Sequence, residues 1–98
     1  MTVQPYTRPN RRQDMEFIAK LLYGRNQNGT YMVRDIDLLA EDIESRQAVV
    51  DLLEEASRRY FRMGAEGHHA YELPKHMSLI SILQRERAEL FARERRAA

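Results

Sequence analysis

The chain has no cysteine and no tryptophan. Without a thiol there is no disulfide scaffold, no thiolate nucleophile and no cysteine-ligated zinc site. No apolar run approaches the roughly 18 residues of a membrane span. The opening MTVQPYTRPNRRQ lacks the apolar stretch of a secretory signal, so the expected location is the cytoplasm. Glycine occurs four times, and never clusters into a phosphate-cradling loop. Lysine is scarce as well: of 16 basic residues only Lys20 and Lys75 are lysine. The positive charge is therefore carried by forked guanidinium groups, which suit bidentate pairing with carboxylates or phosphates.

What remains is 98 residues, 43% hydrophobic and 32% charged. That length suits one domain, and the composition is too apolar for a disordered chain. The net charge is only +1, but it is unevenly placed. Residues 1–34 hold six bases and two acids, residues 35–55 one base and eight acids, and residues 56–98 nine bases and five acids. A middle block of −7 between two blocks of +4 implies that the middle meets something basic.

Residues 1–12 read as a flexible basic arm, broken by Pro5 and Pro9 and solvated by Arg8, Arg11 and Arg12. Tyr6 in that arm is a candidate peptide anchor. Residues 13–98 read as one helical domain. Asn10 and Gln13 resemble a capping box, and Phe17, Ile18, Leu21 and Leu22 follow at helical spacing as far as Tyr23, with Gly24 as C-cap. Asn28-Gly29 marks a turn before a short extended Thr30–Val33.

Asp35 then looks like an N-cap. Ile36, Leu39, Ile43, Val50, Leu53 and Tyr60 keep a helical period that Arg46 interrupts. One helix of about 28 residues would accommodate this; two helices, the second capped by Ser45, are favoured because long helices are uncommon in small domains. After a Gly64–His69 loop, residues 69–73 could pair with Thr30–Val33. Pro74 opens a last helix with Met77, Ile80, Leu83 and Leu90 as its seam and a charged, fraying end. The expected fold is mainly α: four helices, with at most one short two-stranded β patch.

Residues 39–49, Leu-Ala-Glu-Asp-Ile-Glu-Ser-Arg-Gln-Ala-Val, resemble the helix-turn-helix phrase in which a Leu-Ala helix, a turn and a Ser-Arg-x-x-Val recognition helix follow in order. The resemblance covers about a quarter of the chain and implies a winged-helix variant and a DNA-binding regulator. It departs from the pattern in a turn one residue short, with Glu44 where glycine is usual. In that reading Arg46 and Gln47 read bases, and Arg11, Arg12, Arg58, Arg59 and Arg62 meet phosphates. Against it stand Glu41, Asp42, Glu44, Asp51, Glu54 and Glu55, whose charge repels a phosphate backbone.

That same acidic set is the first candidate for docking a larger protein partner. Ile80, Leu83 and Leu90 are the candidates for self-association into a homodimer, in competition with ordinary core packing. Glu66, His68, His69, Glu72 and His76 crowd one region, but their spacing matches no helical metal signature. No serine has a paired base. No metal, cofactor or catalytic residue is expected. The favoured expectation is a small non-catalytic regulatory or accessory protein, with the DNA-binding regulator as alternative.

Overall fold

The computed structural model describes residues 8–97. In chain order they form α1 (Arg11–Leu21), β1 (Arg25–Gln27), β2 (Thr30–Val33), β3 (Ile36–Asp37), α2 (Ile43–Ala65) and α3 (Leu73–Ala97). The expectation of a mainly helical chain with a small β patch holds. The count of four helices does not: among the described residues there are three, and the patch is a three-stranded antiparallel sheet in the order β1-β2-β3.

The missing helix is the one drawn from Ile36. Ile36 pairs with Val33 and Asp37 with Met32, and the Leu38 amide donates to the Tyr31 carbonyl at 2.9 Å. The chain is thus held against the sheet up to residue 38. The Asp37 carboxylate accepts from the Leu39 amide at 2.9 Å, turning the backbone away from helical geometry. Helix α2 starts only where Asp42, in an extended conformation, caps it by accepting from the Ser45 amide at 3.0 Å. Ser45 is therefore inside the first turn and not the cap. From there one 23-residue helix runs unbroken through Arg46. With no helix over residues 36–42, the helix-turn-helix phrase loses its first helix.

The β1–β2 hairpin turns at Asn28-Gly29, both at positive φ (53° and 81°), the geometry of a two-residue hairpin loop. The partner expected for β2, residues 69–73, forms no strand. The Tyr71 amide donates to the His68 carbonyl in a turn, and Pro74 lies in the first turn of α3 as its missing N–H allows.

Helices α2 and α3 pack against each other, β3 packs on α2 and α1 packs on β2. Met15, Ile18, Leu38, Val49, Leu53 and Leu79 are fully buried, each contributing about 1.5–3 kcal/mol of transfer free energy. Gly24 is required where α1 meets the sheet: a Cβ there would lie 2.5 Å from the Met32 carbonyl oxygen and 2.8 Å from Val33 Cγ2. Among the described residues no helix is long and apolar enough to cross a membrane.

Residues 8–12 do not form the flexible arm expected of them. Arg11 and Arg12 belong to α1, and Arg8 is buried at 8% exposure. Residues 1–7, with Tyr6, lie outside the described residues.

Candidate functional site

The buried stripe of each helix continues past its apolar residues into charged ones. Along α1 it runs Arg11, Met15, Ile18, Ala19; along α2 it opens with Arg46; along α3 it runs His76, Leu79, Leu83, Glu86, Leu90, Arg93. Where these stripes meet, four guanidinium groups and four carboxylates close on one another. Glu86, fully buried, accepts from Arg8 Nη1 at 2.6 Å and from Arg11 Nε and Nη2 at 3.2 Å. Arg46, also fully buried, donates to Glu89 Oε1 at 2.9 Å and reaches Glu41 at 3.4 Å. Arg8 also pairs with Glu89, and with Asp14 at 2.8 Å. Arg11 reaches Glu41 and donates to the Leu38 carbonyl at 3.0 Å. Arg93 binds the Glu41 carboxylate and carbonyl.

The titration of these groups follows from the geometry. Burial by itself would lower the Arg8 pKa, but hydrogen bonds to Glu89 and Glu86 hold it above even the usual arginine range. Burial alone would raise Glu89; hydrogen bonds from Arg46 and Arg8 outweigh it and leave the carboxylate below its ordinary range. The network holds a fixed set of ion pairs and no nucleophile. Its role is to lock the N-terminal end of α1, the start of α2 and the far half of α3 together.

The acidic residues assigned to docking are largely taken up by this framework. Glu41 enters the buried network, and Asp42 caps α2, its pKa lowered by the Ser45 hydrogen bonds. Glu54 pairs with Arg87 at 3.2 Å. Glu55 takes both Nη atoms of Arg34 at 3.3 Å, which, as the leading cause, lowers its pKa. Asp51 accepts from Gln47 at 2.9 Å, and Glu44 stands exposed in the first turn of α2. These carboxylates do not form one free surface.

Of the residues assigned to DNA, Arg11 (2% exposed) and Arg46 (fully buried) cannot reach a groove without dismantling the core. Arg12 is held on the hairpin, donating to the Gly29 carbonyl at 3.0 Å and lying 5.4 Å over the Tyr31 ring. Gln47, Arg58, Arg59 and Arg62 are exposed. Of the self-association seam, Leu83 and Leu90 are buried in the chain's own core and Ile80 is half-buried.

The histidines are divided. His68 and His69 stack on each other in an exposed loop, ring centroids 4.5 Å apart. His76 is buried, sharing a 2.9 Å hydrogen bond between its Nδ1 and the Tyr71 hydroxyl. Among the described residues no group of three or more His, Asp or Glu side chains is arranged to hold a metal.

The C-terminal half of α2 is different. Among the described residues Arg58, Arg59 and Arg62 form no close ion pair, although Arg59 and Arg58 add to Arg34 in lowering the Glu55 pKa, and Phe61 between them is 68% exposed. On one side of the helix Arg58, Phe61 and Arg62, with Glu55 and Ser57 before them, line a groove against His76 and Ile80 of α3, about 570 Å³ in volume. On the other side Arg59, Tyr60 and Met63 face the end of α1, the β2–β3 turn and Lys75.

Read from the sequence, Arg58 and Arg62 were candidates for phosphate contact and Phe61 had no place in the docking site. The signal was there: an aromatic between two arginines off the apolar seam of an amphipathic helix. Comparison with protein-family models, curated proteins and solved structures finds no match for the chain.

Proposed function

We propose that this chain is a non-catalytic regulatory or accessory module that binds a larger protein partner through the α2–α3 groove around Phe61. The occupant is an acidic amphipathic segment of that partner. An aromatic anchor beside an aliphatic wall supplies the desolvated centre of a docking site, and flanking arginines supply steering and specificity. One observation carries this reading: Phe61, 68% exposed, lines a groove with Ile80 between Arg58 and Arg62, and the carboxylate in that lining, Glu55, is already held by Arg34. The surface thus carries the opposite sign from the one the charge blocks suggested, because the folded chain spends most of the middle block's carboxylates on itself.

The test compares wild type, Phe61→Ser and the pair Glu44→Lys with Asp51→Lys as baits for proteins of the native host, with captured proteins identified by mass spectrometry. The expected result is one recurrent partner, lost with Phe61→Ser, weakened by salt and kept by the charge-reversed pair. Truncating an anchor of this kind costs about 2 kcal/mol or more, roughly a 30-fold loss of affinity. Capture that survives Phe61→Ser overturns the reading. Retention on duplex DNA at low salt, weakened by replacing Arg58 and Arg62 with Ala, would return the DNA-binding regulator in its place.

A further inference from the structure

The second face of α2 borders a pocket of about 680 Å³ lined by Lys20, Leu21, Leu22, Tyr23, Val33, Arg34, Leu52, Arg59, Tyr60, Met63, Ala70 and Lys75. Four of those side chains are cationic and none is a carboxylate, whereas the grooves along the α2–α3 and α1–α3 seams mix both signs. Glu16, Glu55 and Glu72 do pair with Lys20, Arg34 and Lys75, but from outside the pocket and with exposed side chains. Exposed pairs of this kind are weak and readily exchanged. Arg59 makes no close ion pair among the described residues. The floor is apolar, from Leu21, Leu22, Val33, Leu52 and Met63, and the size is that of an ordinary small-molecule site.

The backbone points to the same place. Among the described residues three other than glycine have positive φ: Tyr23 (58°), Asn28 (53°) and Arg34 (55°). Asn28 is a residue type that tolerates the left-handed region. Tyr23 and Arg34 are not, and both line this pocket.

Tyr23 is the more telling of the two. Helix α1 ends with the Gly24 amide donating to the Ala19 carbonyl at 2.7 Å and the Tyr23 amide directed to Lys20 at 3.5 Å. That is a Schellman closure with Tyr23 at the position where glycine is usual. Helix α2 closes the same way, His68 to Met63 and Gly67 to Gly64, and there the residue is Gly67 at φ 67°. Tyr23 accepts the strained conformation while its side chain is 95% exposed at the pocket mouth, so the ring gains almost no burial in return. Strain held by an exposed aromatic marks a residue kept for contact with something else.

We infer that this pocket binds a small amphipathic organic anion. Its apolar body lies on the Leu22–Val33–Leu52–Met63 floor against Tyr23 and Tyr60, and its phosphate, sulfonate or carboxylate group is met by Arg59, Lys20, Lys75 and Arg34. The inference concerns the opposite face of α2 from Phe61, so it stands or falls separately from partner docking.

The experiment is a fluorescence titration of the full chain with anilinonaphthalenesulfonate, followed by displacement with adenosine monophosphate in one arm and decanoate in the other. Saturable one-to-one binding is expected. Displacement by the nucleotide assigns an aromatic phosphate, and displacement by decanoate assigns an aliphatic carboxylate. Arg59→Glu and Tyr23→Gly should each weaken the probe by about 10-fold, the scale of one charged or stacking contact. Phe91→Ser, an exposed aromatic on α3 away from the pocket, should leave it unchanged. Tyr23→Gly relieves backbone strain, so its loss of binding should come with a thermal midpoint no lower than wild type. Absent saturation, displacement by neither competitor, or binding indifferent to both pocket variants overturns the inference.

Discussion

At one end of the helices Arg8, Arg11, Arg46 and Arg93 are buried among carboxylates; at the other Lys20, Arg34, Arg59 and Lys75 surround a pocket lined by none. Side chains of the same charge are used in opposite ways. In the buried network each cation has lost its water and depends on partners already in place, so it fixes the fold and is closed to ligands. Around the pocket the cations keep their water and hold at most one exposed partner each, so they add little to stability and remain open to exchange. Charge in this chain is structural where it is buried and open to exchange where it is not, and residue counts cannot separate the two.

The largest effect that would break this contrast is at Glu86. Glu86→Gln leaves Arg8, Arg11 and Arg46 facing a neutral amide in a site with no solvent access. Urea unfolding should show a loss of about 3–5 kcal/mol, the usual result of removing one partner from a buried ion cluster. Glu55→Gln, which removes the exposed partner of Arg34, should barely move the midpoint. Equal effects at the two positions would mean that the contrast between the ends is not one of burial.

Acid should separate the ends next. The Glu89 carboxylate titrates below its ordinary value of 4.5 in the folded chain, because the Arg46 and Arg8 hydrogen bonds outweigh burial. A depressed folded value means that its contribution is complete above the unfolded pKa and is lost as pH falls through the folded one. Thermal midpoints should therefore hold from pH 7 to about 5 and fall below it. In Glu89→Gln the midpoint starts lower and the acid slope is shallower. An acid slope identical to wild type would remove Glu89 as its source.

The two ends also differ in how far they could be read in advance. The turn at Asn28-Gly29, the strand at Thr30–Val33 and the last helix with Pro74 in its first turn were legible, because local chemistry determines them. Residues 36–42 were not: Ile36, Leu39 and Ile43 fit a helical period, but Ile36 is taken by Val33 across a two-residue turn. The buried network was hidden for a different reason. Arg8 finds Glu86 78 residues away, and no local pattern distinguishes an arginine with a distant partner from one in a solvated arm. A partial clue did exist, since Arg46 sits where the α2 seam requires an apolar group and Glu86 and Arg93 extend the α3 seam at the same spacing. The pocket needed backbone angles. Nothing in Leu-Tyr-Gly-Arg announces that tyrosine, and not the glycine after it, takes the left-handed position.

The smallest effect sharpens the comparison most, because the two Schellman closures differ in one residue. At Gly67 an added Cβ meets no atom within 4 Å, so Gly67→Ala isolates the cost of a side chain at positive φ, about 1 kcal/mol. Tyr23 already carries that cost. Tyr23→Gly should recover about 0.5–1 kcal/mol, less than the full amount because glycine also loosens the unfolded chain. Calorimetry on both variants measures the penalty once as a loss and once as a gain. If Tyr23→Gly instead destabilises the chain, the exposed ring stabilises the fold in a way its 95% exposure does not show. The tyrosine would then need no ligand to account for it. If the gain appears, the chain holds a residue that costs it stability at the mouth of a cationic pocket, and the reason for keeping it lies in what the pocket binds.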